Sequence, residues 1–311
     1  MLMKFPVLLL LSFAALARTP APPQQPDLQH PPINPEFIAL PDTTSKAMPI
    51  EHKNINYLHA SGADLQLDVY QQPKAKPTPV VIYFHGGAWW KNARPNSASG
   101  FHSLLSMGFS LVTVDYRLTG VARAPASVQD ARCALSWVKQ HAAEYNFDLD
   151  EVIVFGTSSG GHLALMAGML PDNNSVDLPE CRNQPKIAAI FDFYGISDVK
   201  ELLANGFTLK RSATNWIGDA PDAAALATQM SPLSYVRPGL PPTFIVHGDA
   251  DPVVPYEQSV RLRDALRASK VPVELHAVPG GQHGKFSAEQ SLNIGAALSK
   301  FLETNHLMAE Q

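Results

Sequence analysis

A serine flanked by glycines stands at the end of a short apolar run, where it could act as a nucleophile. Residues 155–162 read FGTSSGGH and follow the run VIVF, with Ser158 between Gly156 and Gly160. A sharp turn from strand to helix needs residues without side chains beside its apex, and the apex residue then projects outward. The pattern therefore indicates a presented hydroxyl, although an ordinary Gly/Ser turn without chemistry fits the same letters.

A serine hydroxyl is a weak nucleophile until a base removes its proton and an anion orients that base. His283 lies among glycines in GGQHG, and an imidazole can accept and return a proton near neutral pH. Asp249 and Asp251 lie in HGDADPVVP, and both are candidates for the orienting carboxylate. The order Ser158, acid, His283 is the order expected of a catalytic triad on an α/β sheet.

Backbone N–H donors for the negative oxygen of a tetrahedral intermediate are expected at two places. The segment HGGAWW at residues 85–90 follows an apolar run, and Gly86 and Gly87 let its backbone approach a ligand closely. Ser159, directly after the candidate nucleophile, would supply another N–H. One such donor lowers the barrier by about 2.7–4 kcal/mol. A Gly-Gly turn without a catalytic role is the alternative.

Each of these segments follows a strand-like run, and ligands of open α/β sheets bind beyond the carboxyl ends of the strands. Strand-like runs occur at residues 65–70, 79–84, 110–116, 152–155, 188–194, 243–248 and 273–278. Helix-like patterns occur at residues 127–145, directly after Ser158, and at residues 258–269 and 293–305. The alternation predicts an α/β protein with a mostly parallel sheet and helices on both faces.

Two segments depart from this rhythm. Residues 65–70 alternate apolar and polar side chains, which favours a half-buried and antiparallel strand at an edge of the sheet. Residues 199–240 contain several Ala and Pro and break the alternation. We expect this second segment to form a small cap insertion over one end of the sheet.

The composition excludes some classes of partner. The 311 residues carry a formal net charge of -4 and no basic run, so we expect no nucleic-acid partner. No C-x-x-C motif or Cys/His cluster indicates a metal, and we expect neither metal nor cofactor. Cys133 and Cys181 could form a disulfide in an exported protein, but Cys133 lies in a helical pattern and a buried thiol also fits.

The first residues are typical of an export signal. Lys4 precedes an apolar stretch that ends in Ala-Leu-Ala and is shorter than the about 20 residues needed to span a bilayer. We predict a signal peptide at residues 1–17, a Pro-rich linker at 18–49 and a catalytic domain at 50–305. The protein would then be exported to the periplasm or the extracellular space without a stable membrane span. An uncleaved membrane anchor is the alternative.

Taken together, HGGAWW, DYRL, GTSSGGH, HGDADPVVP and GGQHG resemble the motifs of α/β-hydrolase-fold esterases. The resemblance covers most of residues 55–300 and is nearest to the branch of bacterial feruloyl and acetyl-xylan-type esterases, near the hormone-sensitive-lipase relatives. It implies an α/β-hydrolase fold: a mostly parallel eight-stranded sheet with helices on both faces and a small cap insertion. Ala88 stands where the lipase pattern H-G-G-G has its third glycine. This difference favours the feruloyl-esterase-like branch.

The resemblance also assigns roles to the candidate residues. It makes Ser158 the nucleophile, His283 the base and Asp251 the orienting acid, because Asp251 is the last position of the family's H-G-x-x-D pattern. Asp249 is the second candidate for the acid. The oxyanion donors would be the backbone N–H groups of Gly86, Gly87 and Ser159.

Three tryptophans, Trp89, Trp90 and Trp216, are candidates for substrate binding, although aromatic residues often only fill a core. His162 lies one turn after the candidate nucleophile and is expected to pack the turn. His85 and His247 end strands, and we expect their rings to hold loop backbones by hydrogen bonds.

The sequence therefore predicts an exported serine hydrolase that cleaves carboxylic esters through an acyl-enzyme. Its substrate would be a small-molecule or carbohydrate ester, such as an acylated carbohydrate or a hydroxycinnamate ester. An amidase or peptidase with the same triad, such as a formamidase, is the alternative within enzymes. A binding protein on a hydrolase fold is the alternative outside them. The oligomeric state is not encoded in any motif.

Overall fold

The structure, a computed structural model, describes residues 48–204 and 206–307. The predicted signal peptide and residues 18–47 of the predicted linker lie outside the described residues.

The described residues contain an eight-stranded sheet with the order β1-β2-β4-β3-β5-β6-β7-β8. Strand β2 runs antiparallel to β1 and β4, and the pairs from β4 through β8 are parallel. The strands are β1 (Ile50–Ala60), β2 (Ala63–Gln71), β3 (Thr78–Phe84), β4 (Ser110–Val114), β5 (Phe147–Thr157), β6 (Ile187–Phe193), β7 (Thr243–Gly248) and β8 (Val273–Val278).

Helices connect the strands and cover the sheet. They are α1 (His102–Ser106), α2 (Ala126–Gln140), α3 (Ala142–Tyr145), α4 (Ser159–Met169), α5 (Val199–Leu202), α6 (Lys210–Ile217), α7 (Ala223–Gln229), α8 (Glu257–Ala268) and α9 (Ala288–Thr304). Short 3₁₀ turns lie at Ser99–Phe101, Pro179–Cys181 and Pro232–Tyr235. The predicted mostly parallel sheet is confirmed.

The apolar runs form central strands because both faces of the sheet are covered. Every residue of β3 is buried. Val80, Ile82 and Phe84 pack into the core on the side of α2, α4 and α8, whereas Val81 and Tyr83 pack on the side of α1 and α9. Side chains alternate between the two faces of a strand, so a strand buried on both sides must be apolar throughout.

The edge of the sheet differs from the expectation. Strand β2 is antiparallel as predicted, but it is not an edge strand, because β1 pairs along it from Ile50 to Ala60. The sequence of β1, IEHKNINYLHA, mixes charged and apolar residues, and much of it is exposed or half-buried. Its register is irregular at two places, which weakens the period-two signal that would have revealed it.

The segment between β6 and β7 contains α5, α6, α7 and a 3₁₀ turn, in the range where the sequence predicts a cap insertion. Asp198 caps the start of its first helix, because its side chain accepts a hydrogen bond from the backbone N–H of Glu201. Farther along, Trp216 is fully buried. The insertion is therefore packed into the body of the protein through this residue.

Cys133 on α2 and Cys181 form a disulfide, with 4.7 Å between their Cα atoms. The neighbouring Arg132 forms a buried bidentate ion pair with Asp177, at 2.9 and 2.8 Å. Both connections attach the loop that precedes β6 to α2. The sequence left a disulfide and a buried thiol open for Cys133, and the structure has the disulfide.

In the part of the chain that the structure describes, no helix has the length and apolarity to cross a bilayer. Among the same residues, no group of three or more His, Cys, Asp or Glu side chains is arranged to hold a metal ion.

Candidate active site

The turn between β5 and α4 presents Ser158 at its apex. Ser158 has φ 55° and ψ -122°, an uncommon backbone conformation for a residue with a side chain. A Cβ atom on Gly156 would lie 2.0 Å from the carbonyl oxygen of Gly160, and one on Gly160 would lie 2.0 Å from that of Phe84. The glycines are needed because the helix and the strand approach each other this closely.

Ser158, His283 and Asp251 form one hydrogen-bonded line across three loops. Nε2 of His283 lies 2.9 Å from Oγ of Ser158, and its Nδ1 lies 2.7 Å from Oδ2 of Asp251. The three residues follow β5, β8 and β7, whose carboxyl ends lie at the same edge of the sheet. The structure brings all three predicted triad residues within hydrogen-bonding distance.

The Asp251 side chain is fully buried and has several donors. Its Oδ1 accepts the backbone N–H groups of Val253 and Val254, at 2.7 and 3.0 Å. Burial alone would raise the pKa of this carboxyl, but the hydrogen bonds from His247 and His283 outweigh it and hold the pKa well below its usual range. At neutral pH, Asp251 is therefore an anion that is hydrogen-bonded to the imidazole of His283.

Asp249, the second candidate for the acid, binds backbone instead. Its Oδ1 accepts the N–H of Gly280 at 2.7 Å, and its own N–H donates to the carbonyl of Val278. Asp249 thus connects the loop after β7 to the loop that bears His283. The geometry selects Asp251 over Asp249 as the partner of the imidazole.

The loop after β3 has the backbone geometry that its glycines allow. Gly87 has φ +138°, and a Cβ there would lie 2.1 Å from the carbonyl oxygen of Lys91. A Cβ on Gly86 would come within 3.3 Å of Cβ of Ser158, so this backbone passes directly beside the serine. The N–H of Ser159 is the first of helix α4 and has no partner within that helix.

Hydrogen bonds to the carbonyl oxygen of Gly86 fix the peptide group between Gly86 and Gly87. Nδ1 of His85 and Nδ2 of Asn92 donate to the Gly86 oxygen, at 2.8 and 3.1 Å. In a trans peptide the N–H points away from the carbonyl, so the Gly87 N–H lies on the side opposite these donors. Burial lowers the pKa of His85, which keeps its ring neutral for this hydrogen bond.

Two of the three candidate tryptophans lie in the core. Trp89 and Trp216 have 0% exposure and stack on each other with centroids 4.5 Å apart. The Trp89 indole N–H donates to Nδ1 of His162, and Nε2 of His162 donates to the carbonyl of Met230. Neither ring presents surface to a ligand. Trp216, from the insertion between β6 and β7, covers Trp89, and His162 of α4 packs against both rings.

Trp90 differs from its neighbour, since it is 53% exposed. Its backbone N–H donates to the carbonyl of Gly87 at 3.1 Å, and Nζ of Lys91 lies 5.2 Å from the centre of its ring. Among the three candidates, Trp90 has the exposed surface that contact with a substrate requires.

The strand-end histidines bind loop backbone, as the sequence predicts. His85 contacts the Gly86 carbonyl, and Nε2 of His247 lies 3.0 Å from the carbonyl of Val254. His247 has a further contact that the sequence did not reveal: the same Nε2 lies 3.2 Å from Oδ2 of Asp251.

Tyr194 is a residue of the site that sequence reasoning missed. It follows β6 with φ 43°, and its ring packs edge-on against that of His283, with centroids 4.7 Å apart. Burial raises the pKa of Tyr194 well above its usual range, so the ring stays neutral beside the imidazole. The available signal was its position at the end of a strand-like run, because the other site residues also lie at strand ends.

Comparison with known proteins identifies the family of the chain. The sequence profile of the BD-FAE family matches residues 67–266, more than half of the chain. The chain belongs to the BD-FAE family. A second profile, described as TAP-like protein, matches residues 222–311.

Curated relatives of this BD-FAE member include two mycobacterial enzymes. Esterase LipQ of Mycobacterium tuberculosis is 28% identical over 254 residues, which cover 78% of this chain and 59% of LipQ. Carboxylesterase NlhH of the same species is 28% identical over 243 residues, which cover 76% of this chain and 75% of NlhH. The chain thus spans less than two thirds of the length of LipQ.

Solved structures with the same fold are also esterases. A truncated carbohydrate esterase from gut microbiota superposes with a TM-score of 0.68 at 25% identity, covering 85% of this chain and 99% of that one. Esterase 2 of Thermogutta terrifontis, solved with propionate bound, has a TM-score of 0.68 at 26% identity, covering 87% of this chain and 98% of that one. The α/β-hydrolase fold is confirmed, and both of these solved structures are named as esterases.

Proposed function

We propose that this protein is a serine hydrolase that cleaves carboxylic esters through an acyl-enzyme. The observation that carries the proposal is the continuous line from Oδ2 of Asp251 through His283 to Oγ of Ser158, with steps of 2.7 and 2.9 Å. These distances are within the range in which a base can take a hydroxyl proton. The names of the sequence and structural relatives support the same chemistry.

In the acylation step, Oγ of Ser158 forms a bond to the ester carbonyl carbon as Nε2 of His283 takes the hydroxyl proton. Asp251 accepts the hydrogen bond from Nδ1–H of His283 and stabilises the imidazolium that forms. His283 then gives its proton to the alkoxide as the carbon–oxygen bond breaks, and the alcohol leaves. In deacylation, His283 takes a proton from water as the water oxygen attacks the acyl carbon. His283 then gives this proton to Oγ of Ser158 as the bond between Oγ and the acyl carbon breaks, which releases the acid and restores Ser158.

The negative oxygen of each tetrahedral intermediate is assigned to the backbone N–H groups of Gly86, Gly87 and Ser159. Support comes from the close approach of Gly86 to Ser158 and from the unpaired position of Ser159 at the start of α4. Donors held rigid before the reaction stabilise developing charge without reorganising.

For the substrate, we propose an acylated carbohydrate or a hydroxycinnamate ester. Structural neighbours include a carbohydrate esterase and a bifunctional GH43-CE protein of Bacteroides eggerthii, the latter with a TM-score of 0.66 and 26% identity over 38% of its chain. The half-exposed ring of Trp90 offers an apolar face to a sugar or to an aromatic acyl group. A Trp90→Ala variant would then lose kcat/KM on such esters more than on 4-nitrophenyl acetate.

We also propose that the protein is exported, with residues 1–17 as the signal. The disulfide between Cys133 and Cys181 supports an oxidising compartment. Fractionation of cells expressing the full chain tests this: the protein should appear outside the cytoplasm, shortened at its N-terminus. Full-length protein in the cytoplasm would contradict export.

The central test uses the full chain and its Ser158→Ala variant, with Ser234→Ala as a control at an exposed serine. Wild type and Ser234→Ala should hydrolyse 4-nitrophenyl acetate and bind a fluorophosphonate probe covalently, whereas Ser158→Ala should do neither. A related esterase, that of Thermogutta terrifontis, has been solved phosphonylated by sarin. Full turnover by folded Ser158→Ala would refute the assignment.

The same assay separates the alternatives. A wild-type protein that is folded but neither turns over esters nor binds the probe would be a binding protein. Turnover of formamides or short peptides above that of every ester in a panel of acetyl, butyryl, octanoyl, feruloyl and acetylated-xylan substrates would make it an amidase or peptidase.

A further inference from the structure

The acid of the triad has a second histidine partner. Nε2 of His247 lies 3.2 Å from Oδ2 of Asp251, the same oxygen that accepts the Nδ1–H of His283 at 2.7 Å. The side chains of His247 and Asp251 are both fully buried. One carboxylate oxygen thus lies between two imidazoles, and only one of these belongs to the triad.

The partners of His247 determine which of its nitrogens carries the proton. Nε2 also lies 3.0 Å from the carbonyl oxygen of Val254, and a carbonyl can only accept. Both neighbours of Nε2 are therefore acceptors, so Nε2 carries the hydrogen. Nδ1 lies 2.7 Å from Oγ of Ser259, a hydroxyl that can donate to it. His247 is thereby fixed as an Nε2–H donor toward Asp251.

We propose that His247 is a positioning residue that holds Asp251 and shares its negative charge, and that it thereby sets the strength with which Asp251 acts on His283. This inference rests on the proposed function. A hydrogen bond to a buried carboxylate stabilises the charged form and draws electron density from the oxygen. The carboxylate then favours the protonated imidazole of His283 less than it would if His247 were absent.

Other titratable groups face His247 and Asp251, and they are unchanged when His247 alone is replaced. Asp192 and Tyr194 approach from the end of β6, and the ring of Tyr256 lies edge-on to His247 with centroids 5.7 Å apart. Burial raises the pKa of Asp192 to about 7, with His247 acting in the opposite direction. On the other side of the carboxylate lies the ring of His283.

If His247 acts in this way, its removal should shift the pH profile of catalysis in a direction that the loss of a purely structural residue would not produce. His247→Leu removes the donor, so Asp251 would attract the proton on His283 more strongly. The acid limb of the kcat/KM profile should move to higher pH, by about half a unit or more, and kcat should fall by about tenfold. His247→Gln places an amide N–H near the lost Nε2–H and should restore the acid limb and part of kcat.

The matched control is His276→Leu, because His276 lies in the neighbouring strand, opposite Val246 in the register. It should leave the acid limb where it is in wild type. A lower kcat in His247→Leu with an unmoved acid limb, or a His247→Gln variant no better than His247→Leu, would overturn the proposal.

A measurement on the unmutated protein covers the case in which His247→Leu does not fold. In ¹⁵N-histidine-labelled full chain near neutral pH, the buried ring of His247 should show a protonated Nε2 and an Nδ1 that accepts. An unprotonated Nε2 would overturn the proposal. Wild type without any esterase turnover would instead refute the proposed function, and the nitrogen spectrum would still report on the hydrogen bond.

Discussion

The indole N–H of Trp89 donates to Nδ1 of His162 across 3.2 Å. Trp89 lies on the loop that carries Gly86 and Gly87, and His162 lies on the first turn of the helix after Ser158. This hydrogen bond therefore connects the two backbone segments that are proposed to bind the oxyanion.

Replacing His162 should test that connection through catalysis. In His162→Leu, Trp89 loses its acceptor and the loop after β3 is less firmly held, so kcat for 4-nitrophenyl acetate should fall by about tenfold or more with little change in KM. His162→Asn keeps an acceptor near the position of Nδ1 and should retain more of the rate. Equal losses in the two variants would show that the hydrogen bond to Trp89 does not matter.

His162 should also make the free energy of unfolding depend on pH. Burial lowers the pKa of His162 from 6.5 to about 4, so between these values the unfolded chain binds a proton that the folded protein does not. Stability should therefore be lost as the pH falls from about 6.5 to about 4, by up to about 3 kcal/mol from this residue.

Urea unfolding at pH 7 and pH 4.5 gives the measurement, compared between wild type and His162→Asn. Asp192 acts in the opposite direction, since burial raises its pKa to about 7 and the folded protein gains stability as this carboxyl is protonated. The difference between wild type and variant isolates His162. An equal loss of stability in the two proteins would contradict the prediction.

Asp251→Asn should lower kcat much more than Asp249→Asn. Removing the charge from Asp251 leaves the imidazolium of His283 without its anion, and we expect a loss of about 10³–10⁴. Asp249 accepts from the N–H of Gly280, so its replacement disturbs only the loop that bears His283 and should cost about tenfold or less. The two variants carry the same substitution two residues apart, and a reversed order of their kcat values would assign the acid to Asp249.

Gly156→Ala should prevent the correct folding of the serine turn. Its new methyl group would lie 2.0 Å from the carbonyl oxygen of Gly160, and backbone on both sides leaves little room to move. Thermal unfolding should show a loss of several kcal/mol, about 3 or more, together with lost activity. Gly120→Ala is the control, because nothing lies within 4 Å of a Cβ at that position. A Gly156→Ala protein as stable as Gly120→Ala would contradict the geometry.

Removing the disulfide should destabilise the protein without directly affecting the triad. Cys133 and Cys181 are 48 residues apart, and closing a loop of this length lowers the entropy of the unfolded chain by an amount worth about 4 kcal/mol. The Cys133→Ser/Cys181→Ser variant should unfold at lower urea concentration, with kcat at 25 °C close to that of wild type. Wild type treated with a reductant should unfold like the variant, and unchanged urea midpoints would count against a formed disulfide.

The candidate triad could be found from the sequence because each member follows a strand and is flanked by distinctive residues. Glycines mark the turns of Ser158 and His283, and the H-G-x-x-D pattern marks Asp251. That pattern comes from the resemblance, whereas the residues themselves left Asp249 open as well. The coordinates show that Asp251 meets His283 and that Asp249 meets the backbone of Gly280.

Features that depend on contacts distant in sequence could not be predicted in this way. The stack of Trp89 on Trp216 joins residues 127 positions apart, so exposure could not be assigned to either from local pattern. Helix α9 begins at Ala288, earlier than the predicted residue 293, because a capping box of Ser287 and Gln290 starts it. That S-x-x-Q signal was present in the sequence but precedes a turn without apolar periodicity.

The buried ring of Trp216 constrains any redesign of this protein. An engineer who exchanges residues 199–240 for the corresponding segment of another hydrolase, in order to alter substrate range, also removes the ring that supports Trp89. Grafts that keep a flat aromatic side chain at this position should retain turnover, whereas those that lack one would lose it for reasons unrelated to specificity.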